Sequence, residues 1–404
     1  MTTPVSTSIR AAKRVSRFTY AIRQVVAEAK KVEATGQTVR YLNIGDPIAF
    51  GFLTPPHLIE AAIKAMRDGH NGYTASAGIV SAREAAAADF SRRGVEVSPD
   101  RVLITSGTSE GIELALTAVV DDGEDVLVPS PTYPLYTAVL AKIGANPVYY
   151  RTDPTRGWLP DLDHMARALT PKTRALVLID PNNPTGAVYP GDVRRQLVDF
   201  AVTHGLVILA DEVYGDLGFD GPVPPLAAMA PDAPIISYSS LSKAYLAPGW
   251  RAGWMAVAPT PRLDEALAAI KKLADGRLCS PGPMQYAITA ALSGDRSHQI
   301  AFRQALRVRS DLTVARFSGM PSMTVVAPQA AFYAMPRVAL PPGKTDEDFV
   351  LGLLRAKGIL CVHGSGFGLP AEGGYFRVVF LASPAELESI YDDVAAYAQE
   401  FTRA

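Results

Sequence analysis

Cysteine is almost missing from this 404-residue chain, which has only Cys279 and Cys361. Two cysteines cannot build a disulfide framework and are too few for a zinc site, so both are read as packing residues and no metal is expected. An excess of either charge is missing too: 39 basic residues face 40 acidic ones, a formal charge of −1. Nothing steers the whole molecule towards nucleic acid or an anionic membrane, and neither is expected as a partner. No apolar run reaches signal-peptide or membrane-spanning length. The basic stretch from Ile9 to Arg17, with no acid before Glu28, is read as a mobile arm on a cytoplasmic protein rather than as a targeting peptide. Two nucleotide-binding signatures are also absent. No Gly-x-Gly-x-x-Gly follows the first strand, and no Gly-x-x-x-x-Gly-Lys-Ser/Thr occurs.

What is present is an ordinary globular composition, 48% hydrophobic and 20% charged, long enough for a sizeable core and two domains. Short apolar runs at Val102–Thr105, Val126–Pro129, Ala175–Asp180, Leu206–Asp211, Ile235–Ser239 and Trp254–Ala258 read as buried strands. Stretches of helical spacing lie between them, such as Val193, Leu197, Phe200 and Ala201, a face that ends near His204–Gly205. Such alternation predicts an α/β fold: a large, mostly parallel, doubly wound sheet domain whose ligand sites form at the carboxyl ends of its strands. Beyond about residue 295 the pattern changes to a long amphipathic stretch, an apolar segment at Phe332–Met335, a strand at Phe376–Leu381 and a final helix from Pro384. This reads as a smaller α+β domain. The expected division is 1–51 for the arm and part of the small domain, 52–295 for the large domain and 296–404 for the rest of the small domain.

Four features fall at strand ends. Thr105-Ser106-Gly107-Thr108-Ser109 is a small-residue turn before a helix predicted to begin near Glu110, and a helix N-terminus with hydroxyls suits a phosphate as well as an ordinary cap. Asp180-Pro181-Asn182-Asn183-Pro184 sets two asparagines between prolines, which fixes an irregular turn. Asp211 in Asp211-Glu212-Val213-Tyr214 ends an apolar strand; a buried carboxylate needs a cation or a donor, and either a protonated ring nitrogen or the next helix would provide one. Lys243 in Ser240-Leu241-Ser242-Lys243 follows another apolar strand, with Arg251 eight residues on. A lysine so placed suits a Schiff-base amine of lowered pKa, although a lone lysine is more often a solvated surface residue.

Taken together, these residues resemble the fold-type-I pyridoxal-phosphate enzymes of the class I/II aminotransferase group, from about Tyr20 to Phe380. The resemblance implies pyridoxal 5'-phosphate as cofactor, carried on Lys243, with Asp211 on its ring nitrogen and Tyr214 and Asn183 on its phenolic oxygen. It further implies a phosphate cup of Gly107, Thr108, Ser109, Ser240 and Arg251, with Tyr133 stacked on the ring. Arg377 matches the arginine that grips the substrate carboxylate. Tyr73 matches a tyrosine reaching the phosphate of a partner subunit, which implies a homodimer with shared sites. The segments Tyr20-Ala21-Ile22-Arg23, Leu42-Asn43-Ile44-Gly45-Asp46-Pro47, Arg277-Leu278-Cys279 and Val362-His363-Gly364-Ser365-Gly366-Phe367-Gly368 narrow the resemblance to bacterial and archaeal alanine aminotransferases. That places Tyr20, Arg23, Gly45 and Asn183 with Arg377 at the substrate, and implies alanine, glutamate, pyruvate and 2-oxoglutarate exchanged by ping-pong kinetics. Arg23, on a mobile-looking arm, is expected either to fold over the distal carboxylate of glutamate or to make a surface ion pair, for instance with Glu28. Aspartate, aromatic and methionine aminotransferases and C–S β-lyases share the frame and remain alternatives. The stretch before Tyr20 is too short for a winged helix, so a DNA-binding regulator is not expected.

Overall fold

Runs such as Val102-Leu103-Ile104 and Val207-Ile208-Leu209-Ala210 offer no polar side to water, and in the computed structural model every one of these residues is buried. The structure describes residues 9–18 and 21–403, so Tyr20 lies outside the described residues. The strands in chain order are β1 (Arg40–Tyr41), β2 (Val102–Thr105), β3 (Asp125–Ser130), β4 (Asn146–Asp153), β5 (Leu159–Pro160), β6 (Thr173–Ile179), β7 (Val207–Asp211) and β8 (Ile235–Ser240). They continue with β9 (Gly253–Val257), β10 (Met323–Thr324), β11 (Tyr333–Ala334), β12 (Arg337–Val338), β13 (Ile359–Leu360), β14 (Val362–His363) and β15 (Phe376–Val379). One eight-stranded sheet has the order β2-β9-β8-β7-β6-β3-β4-β5. Its centre, from β8 through β7, β6 and β3 to β4, is parallel, while β9 and β5 pair antiparallel with their neighbours. Parallel strands joined by helical crossovers are covered on both faces, which is why their sequences are continuously apolar rather than alternating.

All six strands read for this sheet are present within one or two residues. Two of its eight were not foreseen. β4 carries Tyr149 38% exposed and a proline at its second position, so it shows no continuous apolar run, and β5 is a two-residue edge. The helix Thr108–Val119 starts two residues earlier than expected, because Gly107 at φ +80° already turns the chain into it.

The carboxy-terminal elements form a three-stranded sheet β11-β15-β14 and the pair β10-β12. Reciprocal capping boxes define two of their helices: Thr345 with Asp348 opens Asp346–Lys357, and Ser383 with Glu386 opens Pro384–Phe401. β1 pairs parallel with β13, and the helix Ala21–Glu33 lays Ala21, Ile22, Val25 and Ala29 against Leu354, Leu360, Val362 and Phe367. This corrects the expectation of a loose arm at Arg23. From Ala21 onward the segment is an amphipathic helix held by its apolar face. Cys361 is buried and Cys279 half-buried, and both are free. Among the described residues no helix is long and apolar enough to cross a membrane.

Candidate active site

Side chains and loops at the carboxyl ends of β6, β7 and β8 converge on a cavity of about 530 Å³. Its lining brings together Gly45, Thr108, Ser109, Tyr133, Asn183, Asp211, Tyr214, Ser240, Lys243, Arg251 and Arg377, and adds Ile22 and Arg23 from the amino-terminal helix. Residues spread over most of the chain thus meet in one place. Tyr73 does not line this cavity and stands 84% exposed.

The end of β7 delivers Asp211, which is only 3% exposed. Its carboxylate accepts long bonds from the Tyr136 hydroxyl at 3.3 Å and from the Val213 amide at 3.4 Å. Burial outweighs these donors and pushes its pKa up to about 6. Lys243, beyond the end of β8, is half-buried and lines the cavity; its Nζ donates to the Gly45 carbonyl at 2.8 Å. Burial, with the positive charges of Arg377 and Arg251, pulls this amine down to about 8. Gly45 is required where it stands, since a Cβ there would meet the Tyr333 hydroxyl at 2.3 Å.

Opposite lies the turn between β2 and its helix. Arg251, at φ +51°, folds back so that its guanidinium donates to the carbonyls of Pro248 (3.0 Å) and Ser106 (3.1 Å). A Cβ on Gly107 would sit 2.3 Å from that guanidinium, so only glycine lets the arginine approach the helix start. The Thr108 hydroxyl is buried there with no hydrogen-bond partner among the described residues. Cation, helix N-terminus and unused hydroxyl together make an anion cup.

The third wall is Arg377 on β15, 2% exposed. Nη1 donates to Asn183 Oδ1 at 3.0 Å, Nη2 donates to the Asn43 carbonyl, and the guanidinium lies 4.8 Å from the ring centroids of both Tyr333 and Phe367. Holding Oδ1 of Asn183 turns its amide nitrogen towards Tyr214, whose oxygen it reaches at 3.4 Å. Behind this loop Asp180 and Arg194 form a buried ion pair at 2.9 Å, and Asp180 also accepts from the Tyr189 amide at 3.1 Å.

Arg23 makes no ion pair among the described residues. Glu28, its expected surface partner, pairs instead with Lys31 at 2.6 Å and approaches Arg355 at 3.9 Å. Three residues were not foreseen in a functional role, two lining the cavity and one, Tyr136, buried behind Asp211. Asp46 follows Gly45 and carries a charge that acts on Lys243, Tyr136 sits one helical turn after Tyr133, and Tyr333 is the one polar side chain in an apolar run from Ala330 to Met335. Only Tyr136 had a usable signal, its i,i+3 spacing from Tyr133.

The cofactor implied by the resemblance can be tested against this site. A buried carboxylate short of a cation suits a protonated ring nitrogen, the anion cup suits a phosphate, and an amine held near neutrality suits condensation with an aldehyde. The residues fit pyridoxal phosphate. Comparison with known proteins agrees. The family model for aminotransferase class I and II matches residues 38–394. The alanine aminotransferase of Mycobacterium tuberculosis is 38% identical over 376 residues, covering 90% of this chain and 86% of that one. The glutamate-pyruvate aminotransferase of Haemophilus influenzae is 35% identical, covering 96% and 98%. The solved alanine aminotransferase of Pyrococcus furiosus superposes with a TM-score of 0.94 at 38% identity, over 97% of this chain and 100% of that one. The chain belongs to the class I and II aminotransferases, enzymes that work with pyridoxal phosphate.

Proposed function

We propose that this aminotransferase exchanges the amino group of alanine or glutamate with pyruvate or 2-oxoglutarate by a ping-pong mechanism. The observation that carries the reading is one cavity in which a buried carboxylate (Asp211), an amine of lowered pKa (Lys243) and a buried guanidinium (Arg377) face the same space. The names of the relatives at 35–38% identity point to this substrate pair and do not favour the aspartate, aromatic, methionine or β-lyase alternatives.

Bound pyridoxal phosphate supplies an electron sink that makes the Cα–H bond of an amino acid acidic. In this reading Asp211 holds the ring nitrogen's proton in place, Asn183 and Tyr214 donate to the phenolic oxygen, and Tyr133 covers the ring. Gly107, Thr108, Ser109, Ser240 and Arg251 hold the phosphate. Lys243 Nζ, held near a pKa of about 8, has a neutral fraction at physiological pH that can take the proton from Cα. Arg377 grips the α-carboxylate with its planar fork and so fixes the direction of the Cα–H bond. Of the four cationic residues lining the cavity, Lys243, Arg251 and Arg377 then have tasks, and Arg23 is left for the distal carboxylate of glutamate. Tyr20 is assigned to the substrate on the sequence resemblance alone.

The reading includes a cytoplasmic homodimer in which Tyr73, exposed and outside its own cavity, reaches the neighbouring phosphate. It also divides the chain at 51 and 295, which keeps the eight-stranded sheet in one domain. The test is to mix the cofactor-loaded protein with single amino acids, without acceptor, and follow the cofactor absorbance. Alanine and glutamate should deplete it, and a larger response to aspartate or tyrosine than to alanine would overturn the assignment.

A further inference from the structure

Four side chains close a circuit at the floor of the cavity. Arg377 donates to Asn183 Oδ1 at 3.0 Å, Asn183 Nδ2 donates to the Tyr214 oxygen at 3.4 Å, and the Tyr214 and Tyr333 hydroxyls meet at 2.9 Å. The Tyr333 ring then returns to Arg377, its centroid 4.8 Å from the guanidinium carbon. The backbone builds this contact. β11 and β15 are antiparallel with Tyr333 opposite Val379, and Arg377, two residues along β15, emerges on the same face as Val379, diagonal to Tyr333. The segment before it is pinned as well, because Gln329 and Ala330 both donate their amides to the Gly186 carbonyl, inside the loop that carries Asn183. Gly45 packs against the other side of the hydroxyl, where no larger residue fits.

We propose that Tyr333 is a positioning residue that donates its hydroxyl proton to Tyr214 and stacks its ring on Arg377, so that the ring-oxygen donor and the carboxylate grip are set by one side chain. A phenol oxygen that already accepts from Asn183 and Tyr333 has its own proton left to direct into the cavity, and accepting two bonds makes it a stronger donor. The Tyr333 ring, with the Phe367 ring equally close to the guanidinium at 4.8 Å, restricts the guanidinium to the plane in which it offers a two-pronged grip. The two roles use different parts of the side chain, the hydroxyl for Tyr214 and the ring for Arg377. They are therefore separable by mutation. The inference rests on the roles given above to Tyr214 and Arg377.

The experiment compares Tyr333→Phe with Tyr333→Leu in the cofactor-loaded enzyme, using Tyr214→Phe and Arg377→Lys as controls. Three quantities are read: the pH midpoint of the cofactor's visible absorbance, kcat with alanine, and inhibition by propionate, the alanine skeleton without its amino group. Tyr333→Phe should move the midpoint to higher pH, because a weaker donor leaves more negative charge on the ring oxygen and favours the protonated neighbouring nitrogen. It should lower kcat about three- to tenfold, the range of one lost neutral hydrogen bond, and leave propionate inhibition within about twofold of the parent. Tyr333→Leu should in addition weaken propionate about fivefold or more. The double variant Tyr214→Phe/Tyr333→Phe should have the midpoint of Tyr214→Phe alone. An unmoved midpoint in Tyr333→Phe while Tyr214→Phe moves it, or equal losses in every readout for Phe and Leu, would overturn the proposal. If neither Tyr214→Phe moves the midpoint nor Arg377→Lys weakens propionate, it is the assignment of the site itself that fails.

Discussion

Removing Arg194 should destabilise the protein in a way that depends on pH. Asp180 and Arg194 are buried together 2.9 Å apart beneath the Asn183 loop. Burial raises the Asp180 carboxyl from 3.8 to about 6 even with Arg194 opposing the rise. Between these values the folded protein holds a proton that the unfolded chain releases, so stability falls as pH rises through that window and levels off above about 6. At about 1.36 kcal/mol per pKa unit, the carboxyl already costs about 3 kcal/mol at neutral pH. In Arg194→Met only the Tyr189 amide still opposes burial and the falling window extends upward. A carboxyl that kept its proton up to pH 8 would cost about 6 kcal/mol there, so the variant loses up to about 3 kcal/mol relative to the parent, at the lower end of what breaking a buried pair costs. At pH 5 both proteins hold the proton and the loss shrinks to the packing change. Glu212, pushed to about 7 by burial and also held down by Arg194, responds in the same direction. With an unfolding entropy of about 2.1 cal/mol/K per residue, 3 kcal/mol corresponds to about 3–4 °C in Tm for a chain of this length. Thermal scans at pH 5 and pH 8 provide the assay, and Asp180→Asn added to Arg194→Met should recover most of the loss at pH 8. The same drop at both pH values, or none at pH 8, would refute the reasoning.

Other outcomes are expected at the cavity. Lys243→Ala should still bind the cofactor non-covalently yet show no multiple turnover, checked by steady-state assay and by the absence of a borohydride-fixed adduct. Arg377→Lys should raise KM for alanine at least about tenfold with little change in cofactor affinity, since an ammonium cannot reproduce a bidentate fork; unchanged kcat/KM would move the carboxylate site elsewhere. Arg23→Gln should lower kcat/KM for glutamate and 2-oxoglutarate about tenfold or more while sparing alanine and pyruvate, as expected for a charged contact made with the longer substrates alone. Equal losses on both substrate pairs would make Arg23 a general structural residue.

How much of this could be read from the sequence depended on burial. Strands β6, β7 and β8 are buried on both faces and so spell themselves as apolar runs, and the polar residues that end them, Asp211 and Ser240 among them, stand out against that background. β4 escaped because one of its faces meets water. The docking of the helix Ala21–Glu33 escaped for a different reason: its apolar stripe is visible, but its partners Leu354, Leu360 and Val362 lie over 300 residues away and leave no local trace. Tyr333 is the clearest case. Nothing distinguishes it from a core residue until β11 is paired with β15 and its hydroxyl is found against Tyr214.

The anchoring of that amino-terminal helix has a consequence for substrate choice. Ile22, beside Arg23, packs in the same cluster as Phe367, and Phe367 flanks Arg377. On the proposed roles, the backbones that carry the two guanidiniums thus belong to one packed body, like the arms of a caliper, and the reach of the Arg23 side chain sets the opening between them. A substrate with two carboxylates would be measured against that opening. Glutamate and 2-oxoglutarate would engage both guanidiniums, and alanine Arg377 alone. Selection between the short and the long substrates would then rest on one side chain whose backbone the fold holds in place.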